Sequence, residues 1–179
     1  MKMIIALTFL GILMLAFTEV NSETCTLIDA APNFDADKYF KISHAYATHS
    51  QNREPETTVC REYSTTTRGG KIITTFTIND RTLRTDVECT NTPITGKKGQ
   101  FTSNCRLSAG NTITVTSSIL ATDNKSYAIL QRCSQNGPGN ILVLQTNKDG
   151  GVPKGVTDYF KGKGWDINKW ISRKEANCR

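Results

Sequence analysis

Short stretches of alternating apolar and polar residues dominate this chain from residue 42 onwards. Eight have strand character: Ile42–Ser50, Thr57–Thr67, Lys71–Ile78, Thr82–Cys89, Gln100–Arg106, Thr112–Ala121, Ser126–Cys133 and Asn140–Thr146. They are rich in Thr, Val, Ile, Tyr and Phe, side chains that fit a pleated, half-buried surface. Turn formers separate them, among them Arg68-Gly69-Gly70, Gly96-Lys97-Lys98-Gly99, Asp123-Asn124-Lys125 and Asn136-Gly137-Pro138-Gly139. Connections this short join antiparallel neighbours, so the pattern predicts a meander. The period changes near both ends. Pro32 to Phe40 reads as a loop entering one helical turn. Pro153 to Lys163 sets Val156, Tyr159 and Phe160 at helical spacing, with Pro before them and glycines after. Asp166 is placed to cap a further turn. The prediction is an all-β domain: an eight-stranded antiparallel up-and-down barrel with a C-terminal helical segment packed outside. A flattened sandwich is the structural rival.

The first residues do not belong to this pattern. Met1 to Ser22 has Lys2 at its front, an apolar run from Ile4 to Phe17 and small or uncharged residues at its end, the layout of a removable signal peptide. Residues 1–22 are therefore expected to be the signal and 23–179 a single domain, exported to an oxidising compartment. Six cysteines are an even number, which predicts three disulfides. Fifteen pairings are open to six cysteines. Only Cys89 and Cys105 are brought together by the strand pattern, because they lie on neighbouring strands of a hairpin.

The formal charge of +6 favours anionic partners. No polybasic run stands out, so a nucleic acid is not expected, and no second apolar stretch reaches membrane length, so neither is a membrane. The chain has no GxSxG, HExxH or phosphate-gripping glycine loop. His44 and His49, the only two histidines, fall on opposite faces of one strand and are not expected to share a metal. With the thiols in bridges, an enzyme is not expected.

Strand parity gives an inward set. Ile72, Thr74, Phe76 and Ile78 share one face, as do Leu83, Thr85 and Val87 with Arg81 just before them, and Ile113, Val115, Ser117 and Ile119. Parity also groups Tyr127 with Ile129 and Gln131, and His44 with Ile42, Tyr46 and Thr48. Aliphatics in such sets are ordinary core, whereas an aromatic or an Arg near a barrel mouth can orient a ligand. Arg61, Arg81, Arg84, Arg106 and Arg132 lie on or next to strands, where charges ordinarily face water. The candidate ligand-binding residues are His44, Tyr46, Arg61, Phe76, Arg81 and Tyr127. Asn124-Lys125-Ser126 is a glycosylation sequon in a turn, which makes Asn124 a candidate modification site.

Several motifs carry a family likeness. They are Asp37-Lys38-Tyr39-Phe40, Val59-Cys60-Arg61-Glu62-Tyr63, Glu88-Cys89-Thr90-Asn91-Thr92, Leu120-Ala121-Thr122-Asp123 with Tyr127-Ala128, and Ser172-Arg173-Lys174 through Cys178. With these the chain resembles the salivary lipocalins of blood-feeding triatomine bugs, a group containing nitrophorins, triabin-like proteins, amine-binding lipocalins and platelet-aggregation inhibitors. The likeness is greater to the last two than to the nitrophorins. The GxW signature of many lipocalins is missing from the first strand, where this chain reads Phe40-Lys41-Ile42-Ser43-His44-Ala45. The resemblance implies a secreted, monomeric salivary protein with bridges Cys25–Cys133, Cys60–Cys178 and Cys89–Cys105. It also implies antagonism of host haemostasis by sequestering a small platelet agonist, with ADP ranked first. The alternatives are biogenic amines (serotonin, histamine, catecholamines), eicosanoids (leukotrienes, thromboxane), or surface inhibition of a clotting protease. No haem is expected: the stretch matching the nitrophorins' haem-ligating strand, Phe76 to Asp80, contains no histidine.

Overall fold

The computed structural model describes residues 25–53, 55–79, 83–134 and 137–178. The expected signal segment and Arg81 lie outside the described residues. Strands β1 (His44–Ser50), β2 (Glu62–Arg68), β3 (Lys71–Asn79), β4 (Arg84–Pro93), β5 (Gln100–Leu107), β6 (Thr112–Thr122), β7 (Tyr127–Ser134) and β8 (Asn140–Gln145) pair in chain order, all antiparallel. β1 closes the barrel by pairing with both β8 and β2. The short strand β9 (Ile171–Ser172) adds to the outer part of β1. This is the predicted eight-stranded up-and-down barrel. One strand differs. The stretch predicted as Thr57–Thr67 begins as a 3-10 turn over Glu56–Cys60, and β2 starts only at Glu62. Pro55 is the cause: its carbonyl accepts from Thr58 N at 3.0 Å, while Arg173 holds the Val59 carbonyl at 3.0 Å. Both bonds curl the backbone that parity alone would extend.

The chain before β1 becomes the floor of the barrel. Ile28 runs along the outside, tied through its N–H to Gln131 (2.7 Å) and through its carbonyl to Ser118 (2.7 Å). Ala31 N then donates to Ile119 O at 2.7 Å as the chain turns inward. Phe34 follows, packed against Tyr39, Phe40 and Phe101 at centroid distances of 5.3–6.5 Å, so these aromatics plug one end. The single helical turn predicted here is α1 (Ala36–Tyr39), capped by Asp35. Asn124 fastens the plug to the β6–β7 turn. Its Oδ1 accepts from Asp35 N and its Nδ2 donates to Asn33 O, both at 2.9 Å.

Two apolar clusters stabilise this arrangement. One fills the barrel and includes Tyr63, Phe76, Val87, Phe101, Ile119, Leu142 and Leu144. The other lies outside, where Leu120, Ile129, Ile141 and Val143 are covered by Val156 and Phe160 of helix α2 (Lys154–Lys163) and by Trp170. A bulge between Ile119 and Ala121 separates the two, sending Ile119 inward while Leu120 and Ala121 go under the helix. Helix α2 ends where the sequence predicts. Gly164, at φ 67°, donates to Lys161 O and Trp165 N to Phe160 O at 2.9 Å, a Schellman closure with Trp165 packed on Phe160.

The disulfides join Cys25 to Cys133, Cys60 to Cys178 and Cys89 to Cys105. The first two tie the lead-in and the tail to the outside of the barrel. Cys89 and Cys105 face each other across β4 and β5, buried in the barrel interior. Closing a loop of 16 residues contributes about 3 kcal/mol in the chain-entropy picture.

Candidate ligand-binding cavity

Between the aromatic floor and the opposite end, the barrel encloses about 110 Å³ available to the centres of water-sized molecules. That is room for on the order of ten waters and is below the roughly 300–1,000 Å³ of most ligand pockets, so a larger ligand needs the barrel's open end as well. The two walls differ. Ile119, Ala128, Leu130 and Leu144 make one side aliphatic. The other carries a polar belt across β2 to β5. Thr65 Oγ1 lies 3.1 Å from Thr74 Oγ1, Asn91 Nδ2 donates to Thr74 Oγ1 at 2.9 Å, and Ser103 Oγ donates to Asn91 Oδ1 at 2.7 Å. The belt satisfies itself, so it asks nothing further of a ligand.

Other groups are not satisfied. Arg61, at the start of β2, and Arg132, near the end of β7, each place the guanidinium carbon 5.6 Å from the centroid of the Phe76 ring. Cation–π contact accounts for their placement. It leaves Arg61 Nε and the Tyr63 hydroxyl buried without a hydrogen-bond partner. Each such group costs about 1–3 kcal/mol, so both are poised for a polar guest. Tyr39 lies close by, its phenol pushed well above the ordinary range first by burial and then by the neighbouring Tyr63. Among the described residues that line the cavity there is no Asp, Glu or His.

Of the candidate residues, Phe76 lines the cavity and Arg61 packs on its ring without belonging to the lining. Three point elsewhere. His44 and Tyr46 point outwards: His44 packs edge-on against Tyr46 at 4.7 Å, with Nδ1 3.3 Å from Ser64 Oγ, and Tyr46 is covered by Arg173 at 5.3 Å. Ala45 lines the cavity instead and Ala47 joins the interior core. Ile42 also touches the cavity, but it belongs to the turn after α1, where Ile42 N donates to Tyr39 O, so strand parity cannot be carried from Ile42 to His44. Tyr127 borders the cavity, but its ring does not enter it. Its phenol turns towards α2 and occupies the space where a side chain on Gly155 would lie. β7 has apolar residues on both faces, because α2 and the lead-in cover its outside, and so parity named the wrong one. Its inward residues are Ala128, Leu130 and Arg132. Leu83 and Ile113, also expected inside, are exposed at strand ends. Tyr39, Tyr63 and Arg132 were not singled out as ligand residues. The alternation of Arg132 with Leu130 and Ala128 was the available signal.

Comparison with known proteins places this geometry. A family model described as Triabin matches residues 18–159. The chain belongs to the Triabin family. It is 71% identical over 180 residues to platelet inhibitor triplatin-2 of Triatoma infestans, covering 99% of this chain and 100% of that protein. Pallidipin of Meccus pallidipennis is 44% identical over 190 residues, covering 99% of this chain and 98% of its own. Among solved structures, the tryptamine complex of the amine-binding protein of Rhodnius prolixus superposes with a TM-score of 0.71 at 16% identity, covering 87% of this chain and 90% of that one. A protein in complex with leukotriene C4 gives 0.61 at 23% identity, covering 76% and 85%. At these identities the structural likeness speaks for the fold, which this Triabin-family chain shares.

Proposed function

We propose that this protein is a secreted scavenger that takes up one eicosanoid, with the carboxylate towards Arg61 and Arg132 and the hydrocarbon along the wall of Leu130 and Leu144. Removing a lipid agonist such as thromboxane from solution then inhibits platelet aggregation, in keeping with the platelet inhibitor named among its relatives. One observation carries the reading: Arg132 and Tyr63 line a cavity whose described lining holds no carboxylate, Arg61 reaches the same Phe76 ring that Arg132 covers, and a buried Arg61 nitrogen and the Tyr63 hydroxyl are unpartnered. An apolar slot with a cationic end suits an amphipathic acid.

ADP, ranked first from the sequence, is supported less well. Its polyphosphate calls for more cations, and Arg84 and Arg106 are exposed on the outer surface. Amines are supported less again. An ammonium needs a facing carboxylate, whereas Glu62, Asp86 and Glu88 are exposed on the outer wall. The reading includes removal of residues 1–22, action as a monomer, no haem and no catalytic step. The test is calorimetric titration of residues 23–179 with leukotriene C4, a stable thromboxane analogue, ADP, serotonin and noradrenaline. One-to-one binding of an eicosanoid with no heat from ADP or the amines is the expected result. Silence towards every small molecule, together with prolonged plasma clotting, would instead support the surface-acting protease inhibitor. A Soret band on titration with haemin would overturn the haem-free reading.

A further inference from the structure

Positive charge is spread unevenly over this barrel. Residues 148–179 hold eight Lys or Arg against four Asp or Glu, which is most of the net +6. The fold brings Lys148, Arg173 and Lys174 to β1, adds Arg53 from the β1–β2 connection, and sets the end of α2 beside Lys169 through the packing of Phe160 on Trp170. Lys148, beyond the end of β8, has its Nζ 6.0 Å from the Tyr46 ring, the same ring that Arg173 covers at 5.3 Å. Lys174 follows Arg173 directly. Beyond the other end of β1, Arg53 donates to Lys169 O at 3.4 Å, and Lys161 and Lys163 occupy the last turn of α2. From Tyr46 to Ser50, where β1 ends, the strand rises roughly 13 Å, so the cations form two groups towards either end of β1.

Arg53, Lys148, Lys161, Lys163, Lys169 and Lys174 are all exposed, and among the described residues none of the six forms an ion pair. Of the carboxylates nearby, two are engaged locally, although Glu175 also faces Arg53, and Asp149 is exposed beside Lys148. Asp166 accepts from Asn168 N at 3.0 Å, and Glu175 accepts from Ser172 N at 2.8 Å. Helix α2 has buried Val156 and Phe160, leaving no apolar face for a lipid surface. Tyr46 is half-buried beneath two cations, so it offers no free platform for stacking bases.

We propose that these two groups of cations together bind a linear sulfated polysaccharide of the heparin class. Point charges on flexible Lys stems, grouped towards either end of one strand of a rigid barrel, match a polymer that repeats its sulfates along its length. Such binding would hold the protein on cell surfaces while the cavity works. It is independent of what the cavity contains.

Affinity for a heparin dodecasaccharide, measured at 0.15 M NaCl and at higher salt, tests this. Micromolar or tighter binding that falls steeply with salt is expected. Lys163→Ala/Lys169→Ala should weaken it at least fivefold, whereas Lys97→Ala/Lys98→Ala, with the same loss of charge in the β4–β5 turn, should change it less than twofold. Unchanged melting temperatures confirm that both variants are folded. Equal weakening by the two pairs would mean that net charge alone attracts heparin, and would overturn the proposal. So would no binding at 0.15 M NaCl, or binding to phosphatidylserine vesicles that heparin does not displace.

Discussion

Replacing Arg61 or Arg132 by Met separates a ligand-holding role from a structural one, because the two roles predict opposite balances of stability and affinity. In the empty cavity, each guanidinium gains a cation–π contact with Phe76 of about 0.5–2 kcal/mol. Against this, two positive charges each 5.6 Å from one ring centroid are at most about 11 Å apart and repel by at least about 1.5 kcal/mol at an effective dielectric near 20. The unpartnered Arg61 Nε costs about 1–3 kcal/mol more. These nearly cancel, so Arg61→Met and Arg132→Met should each leave unfolding free energy in urea within about 1 kcal/mol of the parent, with Arg61→Met the more stable of the two. Binding has no such cancellation. A charge-assisted hydrogen bond to a carboxylate contributes about 1.5–3 kcal/mol, so each variant should bind an eicosanoid about 10- to 150-fold more weakly. The double variant should lose less than the product, because both arginines act on one carboxylate. Calorimetry and urea melts on the same preparations provide both readings. Loss of more than 2 kcal/mol of stability with unchanged affinity would refute the reasoning and make the arginines part of the scaffold.

Tyr63→Phe removes the other unpartnered group, and should stabilise the ligand-free protein by up to about 1 kcal/mol while weakening eicosanoid binding severalfold in the same titration. Gly164→Ala forces a side chain onto a backbone at φ 67° and should cost about 1–2 kcal/mol, read as a lower melting temperature with an unaltered cavity affinity. Asn124→Ala should lower the melting temperature by a few degrees, since the Asn124 side chain ties Asp35 N and Asn33 O to the β6–β7 turn; an unchanged melting temperature would contradict this. Burial alone would raise the Asp123 carboxyl, but hydrogen bonds from Ser126, Tyr127 and Lys125 outweigh it and hold the group below the usual carboxylate range. Its contribution is therefore complete above the unfolded carboxylate pKa of about 3.9 and is lost as pH falls towards the lower folded value. Asp123→Asn should flatten the melting-temperature curve between pH 5 and 2, and an unchanged acid limb would argue against the turn's role.

The barrel was legible because its strands alternate and its turns are marked by Gly, Asn and Asp. Phe76 was legible too, since its face of β3 carries Ile72, Phe76 and Ile78 with only Thr74 among them, whereas the other face is mainly polar, with Lys71, Thr75, Thr77 and Asn79. Legibility failed where a second layer covers the barrel wall. On β7 the outward Tyr127 and Ile129 look as much like core as the inward Ala128 and Leu130, since α2 buries the outer pair. On β1 the alternation does not extend back through the turn at Ile42, so His44 and Tyr46 were read as inward. Tyr39 and Tyr63 could be noticed as motif residues, but their meeting inside the cavity depends on how the lead-in folds across one end. That is a tertiary fact with no local signature. The self-satisfied belt of Thr65, Thr74, Asn91 and Ser103 was likewise hidden, because four separate strands supply it.

The central claim is that the cavity holds an anionic lipid with its head at Arg61 and Arg132. A competition titration tests it most directly, with a stable thromboxane analogue compared with its methyl ester, which keeps the hydrocarbon and removes the charge. The account predicts one-to-one binding of the acid, at least tenfold weaker binding of the ester, and no such difference in Arg61→Met/Arg132→Met. Equal affinity for acid and ester in the parent protein, or displacement of either by ADP, would contradict it.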